Sequence, residues 1–362
     1  MIYVILVDLF SKGYIGIKKK VFAQMKVFKK FFPCIYYTSY SGQMAYLMSE
    51  GKILEKELAI TKEDCNQWIL KWIQKYGIQK SYIRYNLSDK WFVEFVKGLK
   101  EKNVKTILEF PTIPYDGEIS NNRVRVEDRY YREQLSNYIE RCTTYADYDS
   151  VFGIPCISLL NGVDLEQKPI HNIRKPDGTI VLIAVATMNK WHGYERIIEG
   201  MAGYYADNGT ENIILRLVGE GTESDKYRQL VERYKLQKYV EFLGRLEGEE
   251  LNRQYDDADI AIGTLAMYKI KITYAAPLKL GDYCARGIPF VYGYEDCGFS
   301  GKEEFALKIS NDSSPVDMKE LVGFYNRIKE NNFYVEQMRK QACEKYTWES
   351  ILKKVVVYYN DK

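Results

Sequence analysis

Histidine is scarce in this 362-residue chain: His171 and His192 are the only two, which argues against a metal centre built on several imidazoles. Seven cysteines, at positions 34, 65, 142, 156, 284, 297 and 343, are odd in number and nowhere spaced CxxC. That pattern argues against a zinc site and fits reduced thiols in a cytoplasmic protein. No apolar run approaches the roughly 20 residues that a membrane-spanning helix needs. The opening MIYVILVDLF is interrupted by Asp8 and has no basic leader, so it reads as a first buried strand and not as a signal peptide. The dinucleotide fingerprint GxGxxG is missing, as are internal repeats and low-complexity tracts.

What is present is globular in balance, with 46% hydrophobic and 28% charged residues. The length exceeds one ordinary core and predicts two domains. A net charge of +3 conceals an asymmetry: residues 1–110 hold 19 Lys+Arg against 10 Asp+Glu, and the rest holds 33 against 39. The excess is densest over residues 18–32, where Val21, Phe22, Met25, Phe28 and Phe32 recur at helical spacing between lysines. Two readings stay open: a core helix with a solvated lysine face, or a helix that docks on an anionic membrane surface. No basic module interleaved with aromatics points to nucleic acid.

Strand-like and helix-like segments alternate along the chain, which predicts α/β layers on parallel sheets. In the first half, strands are expected at 2–7, 35–38, 44–48, 82–85 and 104–109, and a long helix at 123–141. A polar, proline-punctuated stretch at 167–178, with His171 exposed in it, reads as a linker. It separates residues 1–166 from a second α/β series at 179–346. The expected architecture is therefore two doubly wound, Rossmann-like domains with ligand loops at the carboxyl ends of their strands.

The chemistry-bearing pieces sit at such strand ends. Residues 275–291, AAPLKLGDYCARGIPFV, read as loop, helix and buried strand. Pro277 and Leu278 open the helix, and its amides with Lys279 make a place for a diphosphate. Asp282, one turn on, is a candidate for sugar hydroxyls. In residues 187–193, TMNKWHG, Lys190 and His192 flank another helix start and could meet phosphate oxygens. Gly219 belongs to a tight GxG turn near a nucleoside, and Arg245 and Leu246 to a strand end that could read a base. In the first half, residues 11–16 carry Gly13 and Gly16 at the start of a helix. A proline-stiffened loop offers Asp116 as a candidate proton acceptor. The acids of residues 255–259, YDDAD, lie on a helix end and a strand start, and are not expected to converge on a metal.

This series resembles the retaining glycosyltransferases of the family-4 type, which have the GT-B fold. The resemblance runs through NGVD, KWHGYERIIEGM, LRLVGEG, VEFLGRL, YDDADIAIG, PLKLGDYCARGIPFV and the closing YTWESILKKVVVYY. It implies sugar transfer from a nucleoside diphosphate sugar to a hydroxyl with the anomeric configuration kept. It also implies the donor on the second domain, the acceptor on the first, and a last helix (347–362) completing the first. No cofactor or divalent metal is expected. The family's paired glutamates fall on Tyr274 and Asp282, and its Arg/Lys pair on Thr187 and His192, so Lys190 and Lys279 are expected to supply the charge that stabilises the leaving diphosphate. The PLKL segment is similar to enzymes of bacterial capsule and polysaccharide assembly. That implies a glycan or lipid-linked acceptor and a cytoplasmic protein at the inner face of the membrane. A non-catalytic relative that binds glycan, or a nucleotide-sugar epimerase, are the other readings.

Overall fold

The computed structural model describes residues 1–11, 14–145, 147–173, 177–331 and 333–361. They form two compact units, one of residues 1–160 with 348–362 and one of residues 161–347.

The first unit is built on β1 (Ile2–Val4), β2 (Tyr36–Ser41), β3 (Met44–Ser49), β4 (Lys52–Leu58), β5 (Lys80–Arg84), β6 (Lys105–Phe110), β7 (Arg141–Thr144), β8 (Ser150–Val151) and β9 (Ile154–Ser158). Their order is β4-β3-β2-β1-β5-β6-β7-β9-β8. The strands from β2 through β9 in that order are parallel neighbours, while β3, β4 and β8 are antiparallel. The order of the parallel strands reverses between β1 and β5, which makes that point the switch of a flavodoxin-like sheet. Helices α1 (Ile15–Phe31), α2 (Lys62–Lys75), α3 (Lys90–Glu101) and α4 (Asn122–Arg132) cross between strands. The apolar face of α1, with Val21, Met25 and Phe28, and Phe32 just past its end, packs with Ile351, Leu352 and Val355 of the C-terminal helix Trp348–Asn360.

The second unit has an all-parallel sheet of β10 (Thr179–Val185), β11 (Asn212–Val218), β12 (Val240–Gly244), β13 (Ile260–Ile262), β15 (Phe290–Tyr292) and β17 (Ala306–Lys308). A small separate pair is formed by β14 (Tyr274–Ala275) and β16 (Glu295–Asp296). The main order, β12-β11-β10-β13-β15-β17, is the Rossmann order, with its switch between β10 and β13. The helices are α5 (Glu195–Ala206), α6 (Ser224–Arg233), α7 (Gly248–Asp256), α8 (Leu278–Arg286), α9 (Met318–Lys329) and α10 (Tyr334–Gln341).

Four local readings change. Strand β4 was not anticipated: its residues are mostly exposed at the sheet edge, so it shows no buried run. The helix expected over 123–141 stops at Arg132, and the chain passes through a short 3-10 turn, Leu135–Asn137, into β7. His171 is buried: its backbone N–H donates to the Arg286 carbonyl at 2.7 Å, and its Nδ1 lies 3.1 Å from the Tyr255 carbonyl oxygen. The polar stretch containing it thus packs on the second unit; residues 174–176 lie outside the described residues. Lys20, placed on a solvated lysine face, turns inward to Glu109 and the ring of Tyr145.

Candidate functional site

In the second unit, the loop after β10 leads through a short turn, Lys190–His192, into α5. The loop after β13 runs alongside it. Leu265 and Ala266 donate their N–H groups to the carbonyls of His192 and Trp191, at 2.9 and 3.0 Å. These two loops leave the strands on either side of the switch, where an open parallel sheet presents a crevice. Helix α8 approaches the same strand ends. The Lys279 ammonium donates to the carbonyl of Val185, the last residue of β10, and the Tyr283 hydroxyl donates to the Ile262 carbonyl of β13 at 3.0 Å.

The electrostatics of this corner are defined by two groups. Burial lowers the Lys279 ammonium to about 8, with Asp282 acting against the drop. His192 is held down at about 3, first by burial and then by the charge of Lys279. Its ring is therefore neutral. The Asn189 N–H donates to Nδ1 at 3.0 Å, which leaves the ring proton on Nε2 as a donor. Pro277 caps α8 with an extended backbone, and no side chain caps the helix start. The first amides of α8, a cation and a neutral N–H donor are thus gathered at one switch point. That set suits an anion with several oxygens.

The glycine turn holds a wall of this corner. Gly219 has φ +112, and a Cβ there would lie 2.0 Å from the Ala186 carbonyl oxygen. At Gly221 a Cβ would lie 2.3 Å from the Met188 carbonyl oxygen. Both glycines are therefore present so that the loops after β10 and β11 can touch, backbone to backbone.

The other residues selected from the sequence are more scattered. Thr187 and Lys190 are exposed on the loop after β10. Leu278 is 55% exposed, and Tyr274, in the small sheet, is 66% exposed. Asp282 turns to Lys168 (2.8 Å) and Arg286 (3.3 Å), not to the Lys279 side of the helix. Arg245 pairs with Glu247 on the surface at 2.7 Å. Leu246 lines a separate surface pocket with residues of α7. Asp116 is bonded by Arg129 (2.7 Å) and Arg132 (3.2 Å). Burial raises its pKa, but these arginines outweigh burial and hold it below the ordinary value, which makes it a poor base. Gly16 falls in the first turn of α1, and Lys12 and Gly13 lie outside the described residues. The three acids of the YDDAD segment point to separate partners: Asp256 to the Asn172 N–H, Asp257 to Arg216, and Asp259 to the Val181 N–H.

A buried polar cluster in the first unit was not selected from the sequence. Glu109, at the end of β6, is 0% exposed and faces Lys20 (3.7 Å) and Arg84 (3.3 Å). It also accepts from the hydroxyls of Tyr3 and Tyr145 and from the Gln24 amide. Burial works against its charge, yet the two cations and the hydrogen bonds hold its pKa at about 2. The available signal was a charge set inside an apolar strand, in SYIRYN and ILEF.

The fold is that of the GT-B glycosyltransferases. Residues 166–300, which contain the β10–β13 switch and α8, match the family of glycosyl transferases group 1. No curated protein matches the chain in sequence. A glycosyltransferase from Rickettsia africae superposes with a TM-score of 0.69 at 12% identity, covering 99% of this chain and 97% of its own. HepE from Anabaena, crystallised with UDP, gives 0.63 at 13% identity, covering 99% of each chain. The sucrose-phosphate synthase of Thermosynechococcus elongatus gives 0.60 at 13% identity, covering 99% of this chain and 98% of its own.

Proposed function

We propose that the chain is a glycosyltransferase that moves a sugar from a nucleoside diphosphate sugar to an acceptor hydroxyl, with retention. The observation that carries this reading is the meeting of Lys279, neutral His192 and the uncapped start of α8 at the β10–β13 switch. HepE with bound UDP, and a pneumococcal O-GlcNAc transferase with UDP and GlcNAc, support a nucleoside diphosphate as the ligand class.

In this reading the costly event is departure of the diphosphate. The α8 amides and Lys279 stabilise the charge that develops on it, and Nε2–H of His192 adds a neutral donor. Lys190, exposed on the neighbouring loop, adds a second cation. The incoming hydroxyl gives its proton to a phosphate oxygen, so the reaction does without Asp116 as base and without a divalent cation. The first unit holds the acceptor, a glycan or lipid-linked molecule of bacterial surface polysaccharide assembly. Exposed Lys19 and the half-exposed Phe22 and Phe31 of α1 support contact with an anionic membrane at its cytoplasmic face. No helix of the described residues is long and apolar enough to cross a membrane.

A second reading, a non-catalytic glycan-binding relative, is favoured by the engagement of Asp282 with Lys168 and Arg286. Release of UDP from a panel of UDP-sugars, with and without glycan acceptors, separates the two. UDP binding without turnover on any donor would replace the first reading by the second.

A further inference from the structure

The first unit has its own switch point, between β1 and β5, and a cavity of about 540 Å³ opens there. Its walls are the segments that leave those two strands, Ile5–Leu6–Val7 and Arg84–Tyr85–Asn86–Leu87, closed by residues around Pro111 and Ile119. Among the described residues lining it, Arg84 alone is charged. Tyr85 and Tyr115 offer only rings, because both hydroxyls are bonded to Asp128, at 2.7 and 2.8 Å. Arg84 gives one Nη1–H to Glu109, whose carboxylate is shared with Lys20. The walls above the guanidinium mix apolar side chains (Ile5, Leu6, Val7, Leu87) with the uncharged polar Asn86, Thr112, Ser120 and Asn121.

A second cavity of about 210 Å³ shares Leu6, Asn86 and Leu87 with the first. Its walls include Tyr40, Ile60 and Phe92, with Asn66 and the Lys62–Asp89 ion pair also lining it. Ile60 is 61% exposed and follows Leu58, which is also exposed at the open sheet edge. A path with Leu6, Leu87, Ile60 and Phe92 on its apolar side therefore runs from the guanidinium to solvent, past the Lys62–Asp89 ion pair.

From this arrangement we infer that the first unit binds a single-chain lipid phosphate, with its phosphate at Arg84 and its chain directed past Leu87 into the smaller cavity. The guanidinium fork recognises the phosphate oxygens, and the apolar walls recognise the chain. A glycan alone would leave the second cavity unused. That this ligand is the acceptor rests on the transferase reading; the binding itself does not.

The test is calorimetric titration of the full chain with farnesyl phosphate, farnesol, inorganic phosphate and dihexanoyl phosphatidic acid. Farnesyl phosphate should bind, with farnesol and inorganic phosphate each at least about tenfold weaker, because each keeps only one half of the recognition. Arg84→Gln should bring farnesyl phosphate down to the level of farnesol. Leu87→Trp, which narrows the passage, should weaken farnesyl phosphate without changing inorganic phosphate. If Arg84→Gln fails to fold, as judged by its circular dichroism melt, the ligand comparison on the unaltered chain and on Leu87→Trp decides. Absence of farnesyl phosphate binding, or equal affinity for farnesol, overturns the proposal. Tighter binding of the two-chain phosphatidic acid overturns the single-chain assignment and points to a membrane lipid. Failure of UDP to bind would remove the transferase reading and leave this result standing.

Discussion

The backbone N–H of Asn189 is donated to Nδ1 of His192 at 3.0 Å, so a buried neutral imidazole presents Nε2–H from the end of a short turn. His192→Ala should therefore cost UDP about one neutral hydrogen bond, roughly 0.5–1.5 kcal/mol. Calorimetry should show a loss smaller than that of Lys279→Ala, for which roughly 1.5–3 kcal/mol is expected from a charge-assisted bond. A larger loss at His192 would mean that the ring binds as a cation.

Lys279 makes the affinity depend on pH. Its ammonium is lowered to about 8, so it is charged below that value and loses its proton above it. Bound diphosphate favours the charged form, so UDP affinity should fall between pH 7.5 and 9.5. In Lys279→Arg, which stays charged, this fall should vanish. The same shift acts on stability. Between about 8 and the ordinary lysine value of 10.5 the unfolded chain binds more protons at this residue, so its contribution favours folding increasingly as pH rises there. A flat binding profile would place Lys279 outside the site.

Gly219→Ala puts a methyl group into the Ala186 carbonyl and a side chain at φ +112. We expect a loss of roughly 2–4 kcal/mol in urea unfolding, with UDP affinity falling as the two loops separate. Unchanged stability would show that the loops after β10 and β11 can move apart freely.

Glu109→Gln removes the carboxylate that Lys20 and Arg84 face inside the first unit and should cost about 3–5 kcal/mol. Since the Glu109 pKa is lowered to about 2 from the ordinary 4.5, its stabilising contribution is complete above 4.5 and is lost as pH falls toward 2. The double variant Lys20→Met/Glu109→Gln should recover part of the loss. No recovery would show that the hydroxyl and amide donors, not the cations, dominate.

Asp282→Asn tests the donor role expected of this carboxylate. Its partners are Lys168 and Arg286, so a stability change below about 1 kcal/mol and unchanged UDP affinity are expected. A clear drop in affinity for UDP-sugar, but not for UDP, would restore it as a ligand for sugar hydroxyls.

The second unit is legible because most of its strands are rich in buried Ile, Val and Leu and its turns carry glycine: the expected bounds of Asn212–Val218 agree to the residue, and those of α8 within one of its start. Strand β4 escaped notice because KILEKEL lies half in water at an edge. The residues after Arg132 were read as helix because their composition permits it, whereas packing turns Leu135 and Ile139 into the core. Lys279 and His192 stand out as candidates in the sequence because each is local to a helix or turn start. Arg84 was not, because its meaning depends on strand order, which places β5 beside β1 and β6 although they are distant in sequence. The pairing of Asp282 with Lys168 and of Asp116 with Arg129 is equally hidden in the sequence, because those cations come from other segments of the chain.

The C-terminal helix covers Val21, Met25 and Phe28 of α1, and Phe32 just past its end, although more than 300 residues separate the two elements. That face also packs on Tyr3 and Tyr82 of the sheet, but during synthesis from the N-terminus the part of its cover supplied by residues 348–360 is missing until they emerge. The second unit has all its own strands by then and can fold first. The first unit is therefore completed only after the second, and until then its core lacks the Ile351, Leu352 and Val355 side.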